Sequence, residues 1–560
     1  MLHWPLAFPQ VFAAGGFDCV LGNPPWERIK LQEEEFFATR HRDVAQARNK
    51  AERSQRIGWL AEGMLARHLF PELEHAVSEC EAEQRLYAEF ITARRTAEAM
   101  SLFAHVAGED GGRYPLTGVG DVNTYALFAE TFAQLMAPTG RAGFIVPTGI
   151  ATDDSTKAFF ARITQGARLV SLYDIENRER LFPAVDSRMK FCLLTLGRAE
   201  QAEFVFFATR VEQLADPRRR FRLSPDEFRL LNPNTLTCPV FRSERDAELT
   251  KKLYRAAPVL IDDTRPDGNP WGIRFMAMLH MSNDSHLFAD APGAGRLPLY
   301  EAKMIHQFDH RWATYTPDGN SRDVTLAEHR APEFTVTPRY WVDAAEVAQR
   351  LDDKGWTRGW LMGWRDICRG TDERTVIAAV VGRVGVGNQM PLMLFAERDK
   401  PQQYAALLAN LSALVFDFVA RHKTGGTHMN YFIFKQLPVL APDRYTEADL
   451  SYIVPRVLEL TYTAQDLKPW AQDLGFEGPP YAFDLDRRAR LRAELDAYYA
   501  RLYGLTRDEL RYILDPSDVM GEDYPSETFR VLQKNELREF GEYRTQRLVL
   551  AAWDAQQQGE

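Results

Sequence analysis

No stretch of this chain approaches the roughly 20 consecutive apolar residues that a membrane-spanning helix needs, so no membrane segment is expected. Its first residues, MLHWPLAFPQ, carry Pro5 and Pro9 in place of the basic-then-apolar layout of a secretion signal. Cysteine is scarce: Cys19, Cys80, Cys192, Cys238 and Cys368 lie far apart, with no CxxC and no His pair at zinc spacing. That scatter reads as reduced thiols in a cytoplasmic protein, with no metal expected. Positive charge is not in excess either, the formal net charge being −10. An acidic total argues weakly against non-specific coating of nucleic acid. It leaves room for a basic cleft on an acidic body, because only the local field meets a phosphate. Internal repeats and low-complexity runs are absent. What remains is 45% hydrophobic and 26% charged residues over 560 positions, an ordinary globular composition. The length suggests roughly three to four domains.

Four stretches differ in texture. Residues 1–30 read as loop, then a short buried strand (FDCVLG, Phe17 to Gly22), then a turn. Residues 31–110 are dense in Glu, Arg, Ala and Gln, a helical composition with irregular apolar spacing, as in a surface insertion. Residues 120–200 alternate strand and helix. NTYALFAETFAQLMAPTG puts Tyr125, Phe128, Phe132 and Leu135 on one helix face and stops at Pro138 and Gly140. AGFIVP, LVSLYDI and KFCLLTL then read as strands, with a helix around AFFARITQ. This rhythm predicts a largely buried sheet with crossover helices. From about 240 to 440 short strands, aromatics and Pro/Gly turns dominate. Beyond about 445 helices take over, among them RARLRAELDAYYARLYGL with Leu491, Leu495, Tyr498 and Leu502 in one stripe.

The residues that carry chemistry are Asn23, Pro24, Pro25 and Trp26, directly after the apolar strand. An amide, two prolines and an aromatic at a strand's carboxyl end suit the holding of a planar amine about to be methylated. The Asn23 side-chain carbonyl accepts one hydrogen bond from the amine, and the backbone carbonyl of Pro24, which has no N–H of its own, accepts the second. Two acceptors draw the nitrogen lone pair out of conjugation and make it a nucleophile for a sulfonium methyl. Pro25 fixes the turn, and Trp26 offers a stacking face to a base swung out of a duplex. The same tetrapeptide also serves as a plain strand-terminating turn. The apolar strand before it, the adjoining Gly22 and the α/β elements that follow favour the chemical reading.

The segments FDCVLGNPPWERIK, DVNTYALF, GFIVPTGI and LFPAVDSRMKFCLLTL together resemble the adenine-specific methylases of type IIG restriction–modification systems, with related methylases in phage-defence clusters. The resemblance covers residues 15–35 and 115–200, and more loosely 295–440. It implies an α/β fold: a partial Rossmann-like methyltransferase sheet with a helical insertion, then a mixed α/β target-recognition domain and a helical C-terminal region. Residues 1–30 with 111–235 would form the catalytic part, 31–110 the insertion, 236–445 the target-recognition domain and 446–560 the helical end. It implies that Phe182, in the segment LFP, stacks on the opposite face of the flipped adenine; the alternative for Phe182 is an ordinary core aromatic. S-adenosylmethionine would be the cofactor and double-stranded DNA the partner.

A methyltransferase of this kind also needs a glycine-rich strand-to-helix turn and an acidic residue for the cofactor ribose. In the family's usual order both precede the NPPW motif, and only about twenty residues do so here, too few for a strand–helix–strand unit. VVGRVGVGN (Val380 to Asn388) lies among strand signals, DLGFEGPP is broken by Pro479 and Pro480, and TGVGD (Thr117 to Asp121) follows no strand. The cofactor half is therefore expected to be absent, supplied by a second polypeptide, or lost where the start of the gene was defined.

Basic residues interleaved with aromatics and glycine turns suit a surface that touches phosphates and base edges. Leu297 to Tyr315 offers Lys303, His306 and Arg311; Arg365 to Thr375 offers Arg374; Arg383 follows; Lys423 to Leu440 offers Lys423, His428 and Asn430. Each can equally be solvated surface. Three functions stay open: methyl transfer to adenine in duplex DNA, methylation of a protein glutamine or an RNA adenine, and a non-catalytic DNA-binding specificity module or gene fragment that needs a partner half. The long aromatic-rich region after 240 argues against the second.

Overall fold

The computed structural model describes residues 3–72, 80–396, 400–424 and 426–558. Residues 73–79 of the expected insertion and Gly425 of the expected glycine turn lie outside them. The chain divides into two compact units, Met1–Ala215 with Arg222–Pro225, and Asp216–Phe221 with Asp226–Glu560.

The first unit is built on β1 (Phe17–Gly22), β2 (Met136–Pro147), β3 (Leu169–Glu176), β4 (Lys190–Leu196), β5 (Ala202–Ala208) and β6 (Phe221–Leu223). They lie in the order β1-β2-β4-β3-β5-β6. β1 runs parallel to β2, β4 antiparallel to both β2 and β3, and β3 parallel to β5. The carboxyl ends of β1, β2 and β3 therefore share one edge of the sheet. β3 is buried along most of its length, as a central strand covered on both faces must be. The helix Lys157–Gln165, which connects β2 to β3, buries Phe159, Phe160 and Ile163. The helix Thr124–Leu135 departs from the expected stripe. Phe128 is 40% exposed, while Ala126, Ala129 and Glu130 are buried. Glu130 accepts hydrogen bonds from the Leu116 and Thr117 N–H groups and the Thr117 hydroxyl, which is why a carboxylate tolerates that face. β2 begins directly at Met136, so Pro138 and Gly140 lie inside a strand rather than in a loop. Within residues 31–110 the helices Lys50–Glu62 and Glu81–Ala104 belong to a small core of their own, with Phe36, Phe37, Ile57, Leu60 and Phe90.

In the second unit, residues 378–382, 360–364, 392–395 and 273–276 make a four-stranded antiparallel sheet in that order. Residues 340–343, 296–300 and 385–386 make a three-stranded one. The region expected to hold short strands also contains two helices, Pro401–Ser412 and Leu414–Lys423, whose residues are nearly all buried. The helices after residue 446 pack on these two. The Tyr499 hydroxyl donates to the Ala406 carbonyl (2.6 Å), and Asp496 accepts from the Leu414 N–H (2.7 Å). The C-terminal helices thus share the core of the second unit, and the unit boundary falls before residue 235. No described helix is by itself long and apolar enough to cross a membrane.

Candidate active site

β1 delivers the chain to Asn23-Pro24-Pro25-Trp26 at the carboxyl edge of the sheet, where ligands of open α/β sheets bind. Gly22 is dictated by a close approach, since a Cβ there would stand 2.6 Å from the Phe132 ring. Pro24 is buried, and Asn23 and Pro25 are exposed. Among the described residues neither the Asn23 side chain nor the Pro24 carbonyl has a hydrogen-bond partner. The Pro25 carbonyl, by contrast, accepts from the Thr124 hydroxyl at 2.7 Å, and the Thr124 hydroxyl oxygen in turn accepts from the Glu27 N–H at 3.0 Å. The Thr124 N–H returns to the Glu27 carbonyl (2.8 Å) and the Ile29 N–H donates to the Val122 carbonyl (3.1 Å). Of the three acceptors around the turn, the two that would hold an amine are open and the third is taken.

Trp26 turns inward. Its indole N–H donates to the Ile145 carbonyl at 3.4 Å, and its ring lies 6.0 Å from Phe191 and 6.0 Å from Phe182. The Trp26 and Phe182 planes meet edge to face at 78°, so no slot for a base lies between them in this conformation. Both rings pack against a core that includes Ile175 and Phe191. Phe182 is thus next to the motif and part of the sheet's edge packing at once. Its loop is tied by Asn177, which is fully buried. The Asn177 amide nitrogen donates to the Phe182 and Val185 carbonyls, both at 3.0 Å, and its oxygen accepts from the Phe182 N–H at 3.0 Å.

Below the edge, Asp174 accepts from the Thr148 hydroxyl and from the Phe207 N–H (3.1 Å), and burial pushes its carboxyl up to about 6. Burial raises the Cys192 thiol well above its ordinary value, which leaves it no thiolate with which to attack. Glu176 holds Arg178 at 2.6 Å and Lys190 at 3.1 Å, beside a cleft of about 300 Å³ also lined by Ser187 and Arg188. A larger cleft, about 930 Å³, opens beyond the motif between residues 28–34 and the helix Glu81–Ala104.

Thr124 and Asn177 are the residues that sequence reasoning missed. Each works by bonding backbone, and Thr124 does so 99 positions away from Pro25. No spacing rule announces such a pair. The only hint was that Thr124 lies within the segment DVNTYALF and Asn177 just after LVSLYDI, both already singled out.

The eight residues considered for DNA contact separate sharply. Arg311 is fully buried, donating to the carbonyls of His329 (2.8 Å), Ala331 (2.9 Å), Phe334 (3.1 Å) and Thr463 (3.0 Å). Arg374 is buried on the Ser412 carbonyl, with Asp417 at 3.6 Å. Lys423 donates to the Leu231 carbonyl and Asn232, and burial depresses its ammonium well below the usual lysine range. The donors of these three are spent on the protein's own acceptors. Arg383 is half-buried between the Trp356 carbonyl (3.1 Å) and Asp352 (3.2 Å). His306 lies against Trp312 (4.4 Å), and burial together with nearby Arg365 holds it down to about 3, so it stays neutral.

The others lie on segments that touch. Lys303 is exposed over the Tyr315 ring (4.6 Å). Arg365, which the sequence reading did not select by name, reaches the carbonyls of Lys303 (3.3 Å) and Ile305. His428 bonds Asp366 at 2.8 Å, and the Oδ1 of half-buried Asn430 has no partner. Residues 303–306, 365–367 and 428–430 therefore form one neighbourhood.

The glycine stretches near 118 and 385 do not sit on a strand-to-helix turn. Gly382 ends one strand and Gly385–Val386 is another, paired with Leu299–Tyr300. Thr117–Asp121 precedes a helix but follows no strand. Among the described residues no three His, Cys, Asp or Glu side chains come together as metal ligands.

A family model described as Eco57I restriction-modification methylase matches residues 1–56, the stretch that holds β1 and Asn23–Trp26. No curated protein matches the chain. Solved structures that resemble it weakly are the type IIG restriction endonuclease BpuSI (11% identity, 71% of this chain and 50% of that chain, TM-score 0.24) and the type IIL restriction-modification enzyme MmeI in complex with DNA (8%, 69% and 50%, 0.36). The DrdV–DNA complex is a third (10%, 98% and 58%, 0.29). The chain spans about half the length of these proteins. Scores this low carry no argument about its fold or activity.

Proposed function

We propose that this chain is the amine-holding and DNA-recognition part of an adenine-specific DNA methyltransferase of a restriction–modification or phage-defence system. The observation that carries the reading is the pair of open acceptors, Asn23 and Pro24, at the carboxyl end of β1. The match of residues 1–56 to a restriction–modification methylase family supports it. The exocyclic amine of a flipped adenine donates its two hydrogens to the Asn23 side-chain oxygen and the Pro24 carbonyl. The nitrogen lone pair leaves conjugation with the ring and becomes available to a methyl group. Trp26 and Phe182 separate to receive the base. S-adenosylmethionine is the methyl donor of this reading, and the glycines near 118 and 385 do not form the strand-to-helix turn that would hold it.

One observation favours a chain that works with a second polypeptide. β1 is the edge strand of its sheet among the described residues, with Leu21 79% exposed beside the site. An apolar, unpaired strand edge invites another strand. Calorimetry on the chain alone is expected to show no tight S-adenosylmethionine binding, and a polypeptide with the cofactor-binding strands to restore it.

The decisive experiment is Asn23→Ala, assayed for methyl transfer to duplex DNA in the complete enzyme, with any cofactor half supplied. Loss of one oriented acceptor is expected to cost about 2–4 kcal/mol of barrier, roughly 30- to 1000-fold in rate, with the fold intact. Wild-type turnover in the variant would sink the assignment.

A further inference from the structure

The turn at Asn23–Trp26 is too short to hold its own shape. Its two prolines supply no N–H, so the turn has few donors with which to brace itself. Thr124 braces it from outside. One hydroxyl donates to the Pro25 carbonyl (2.7 Å) and accepts from the Glu27 N–H (3.0 Å), spanning the residue on either side of Trp26. The backbone of residues 122–124 reinforces the contact through the bridge between Arg28 and Asn123. Thr124 is also the first residue of the helix Thr124–Leu135, whose Phe132 ring presses on Gly22. The same helix therefore touches the motif before Asn23 and after Pro25.

We infer that Thr124 is a positioning residue for methyl transfer: its hydroxyl occupies the Pro25 carbonyl and sets the direction of the Pro24 carbonyl, one residue earlier, towards the amine. The inference rests on the reading of Asn23 and Pro24 as amine acceptors. The Pro25 carbonyl is a third acceptor within one residue of the pair. Left free, it would compete for the amine hydrogens and let the Pro25–Trp26 peptide plane rotate, and with it the Pro24 carbonyl, which the Pro25 ring couples to that plane by fixing φ. A misdirected acceptor lowers the rate of the chemical step and leaves binding of the duplex, which is spread over many contacts, almost untouched.

Three forms of the full chain, assayed in the complete enzyme, test this: wild type, Thr124→Val and Thr124→Ser. Valine keeps the branched shape and the backbone bonds but loses the hydroxyl; serine keeps the hydroxyl. Thr124→Val is expected to lower kcat about 10- to 100-fold with KM for DNA within a factor of two or so, and Thr124→Ser to restore most of kcat. In parallel, hydrogen exchange of the Glu27 amide is expected to be faster in the valine variant only. Unchanged kcat in Thr124→Val, failure of serine to rescue, or equal Glu27 exchange in all three proteins overturns the inference. A wild-type enzyme that transfers no methyl group to adenine overturns the reading of Asn23 and Pro24 instead, and the exchange measurement then still decides whether the hydroxyl braces the turn.

Discussion

The two units use their arginines in opposite ways. In the second unit several guanidinium groups are buried and spent on backbone carbonyls, although others, such as Arg265 and Arg547, stay outside on carboxylates. Arg311 ties residues 329–334 to Thr463, Arg421 reaches the carbonyls of Gly370, Asp372, Glu373 and Thr528, and Arg488 reaches Leu460 and Phe308. The planar fork offers five donors in fixed directions, enough to satisfy the carbonyls of irregular segments that cannot pair in a sheet. In the first unit the arginines near the candidate site stay outside, on carboxylates: Arg178 on Glu176, Arg188 on Asp186, Arg210 on Glu179. There the open groups are acceptors, at Asn23 and Pro24. A loop-rich region with buried donors is cemented, and a sheet edge with free acceptors is left ready for a ligand. A basic residue among aromatics speaks for DNA contact only where its charge stays exposed, not where its donors are spent on buried carbonyls.

The comparison is broken most easily at Arg311. Arg311→Ala is expected to destabilise the second unit by on the order of 3–5 kcal/mol, because several buried carbonyls lose their donors at once. Arg311→Lys should recover little, since one ammonium cannot reproduce the fork. Denaturant unfolding reads both. A loss below about 1 kcal/mol for alanine, the range of ordinary surface changes, would return Arg311 to the candidates for DNA contact.

A smaller effect separates the units by pH. The Asp174 carboxyl, under the candidate site, is held at about 6 by burial, against an ordinary value of 3.8. The folded chain therefore keeps this proton over a range in which the unfolded chain gives it up. The resulting stabilisation is complete below about pH 4 and is lost as pH rises through about 6, amounting at most to about 3 kcal/mol. Asp496 in the second unit is raised to about 6 by the same cause, so the whole chain shows both slopes. Asp174→Asn is expected to remove the part of the slope belonging to unfolding of the first unit and leave the other. An unchanged profile between pH 4 and 6 would mean that the Thr148 hydroxyl and Phe207 N–H already compensate the buried charge.

Local pattern carried the first unit and, in the second, found the short strands and the C-terminal helices but missed two buried helices for a physical reason. β1, β3, β4 and the helix Lys157–Gln165 were legible because each is a short apolar run bounded by Gly, Pro or a change of period. Asn23–Trp26 was legible as a candidate because its acceptors and aromatic ring sit in four consecutive residues. The helices Pro401–Ser412 and Leu414–Lys423 were not, because burial on all sides erases the 3.6-residue stripe that marks a helix. In Leu485–Leu502 the expected stripe held Leu491 and Leu495. It missed Tyr499, whose hydroxyl finds a buried carbonyl, and Asp496, which a backbone N–H satisfies. Thr124 and Asn177 were invisible because a side chain that bonds backbone outside a regular element leaves no periodic trace. The same blindness made Arg311, Arg374 and Lys423 look like surface cations.

The finest distinction is between two lysines that the sequence treats alike. Lys423 is half-buried, its ammonium donating to the Leu231 carbonyl and Asn232 with the Tyr254 ring at 4.8 Å. Lys303 is exposed over Tyr315, in the neighbourhood shared with Arg365 and His428. If that neighbourhood meets a duplex, Lys303 is placed to neutralise a phosphate, and it carries no base-specific information. Lys303→Ala is then expected to weaken binding about equally for all sequences and to lower the slope of log affinity against log salt by roughly 1. Its unfolding should stay within about 0.5 kcal/mol of wild type. Lys423→Ala should do the reverse, shifting stability while leaving the salt slope of the folded protein alone. A titration at three salt concentrations on each variant separates the two behaviours. Identical salt slopes for wild type and Lys303→Ala would move the DNA path away from residues 303–306 and leave Arg365 and His428 without their cationic neighbour.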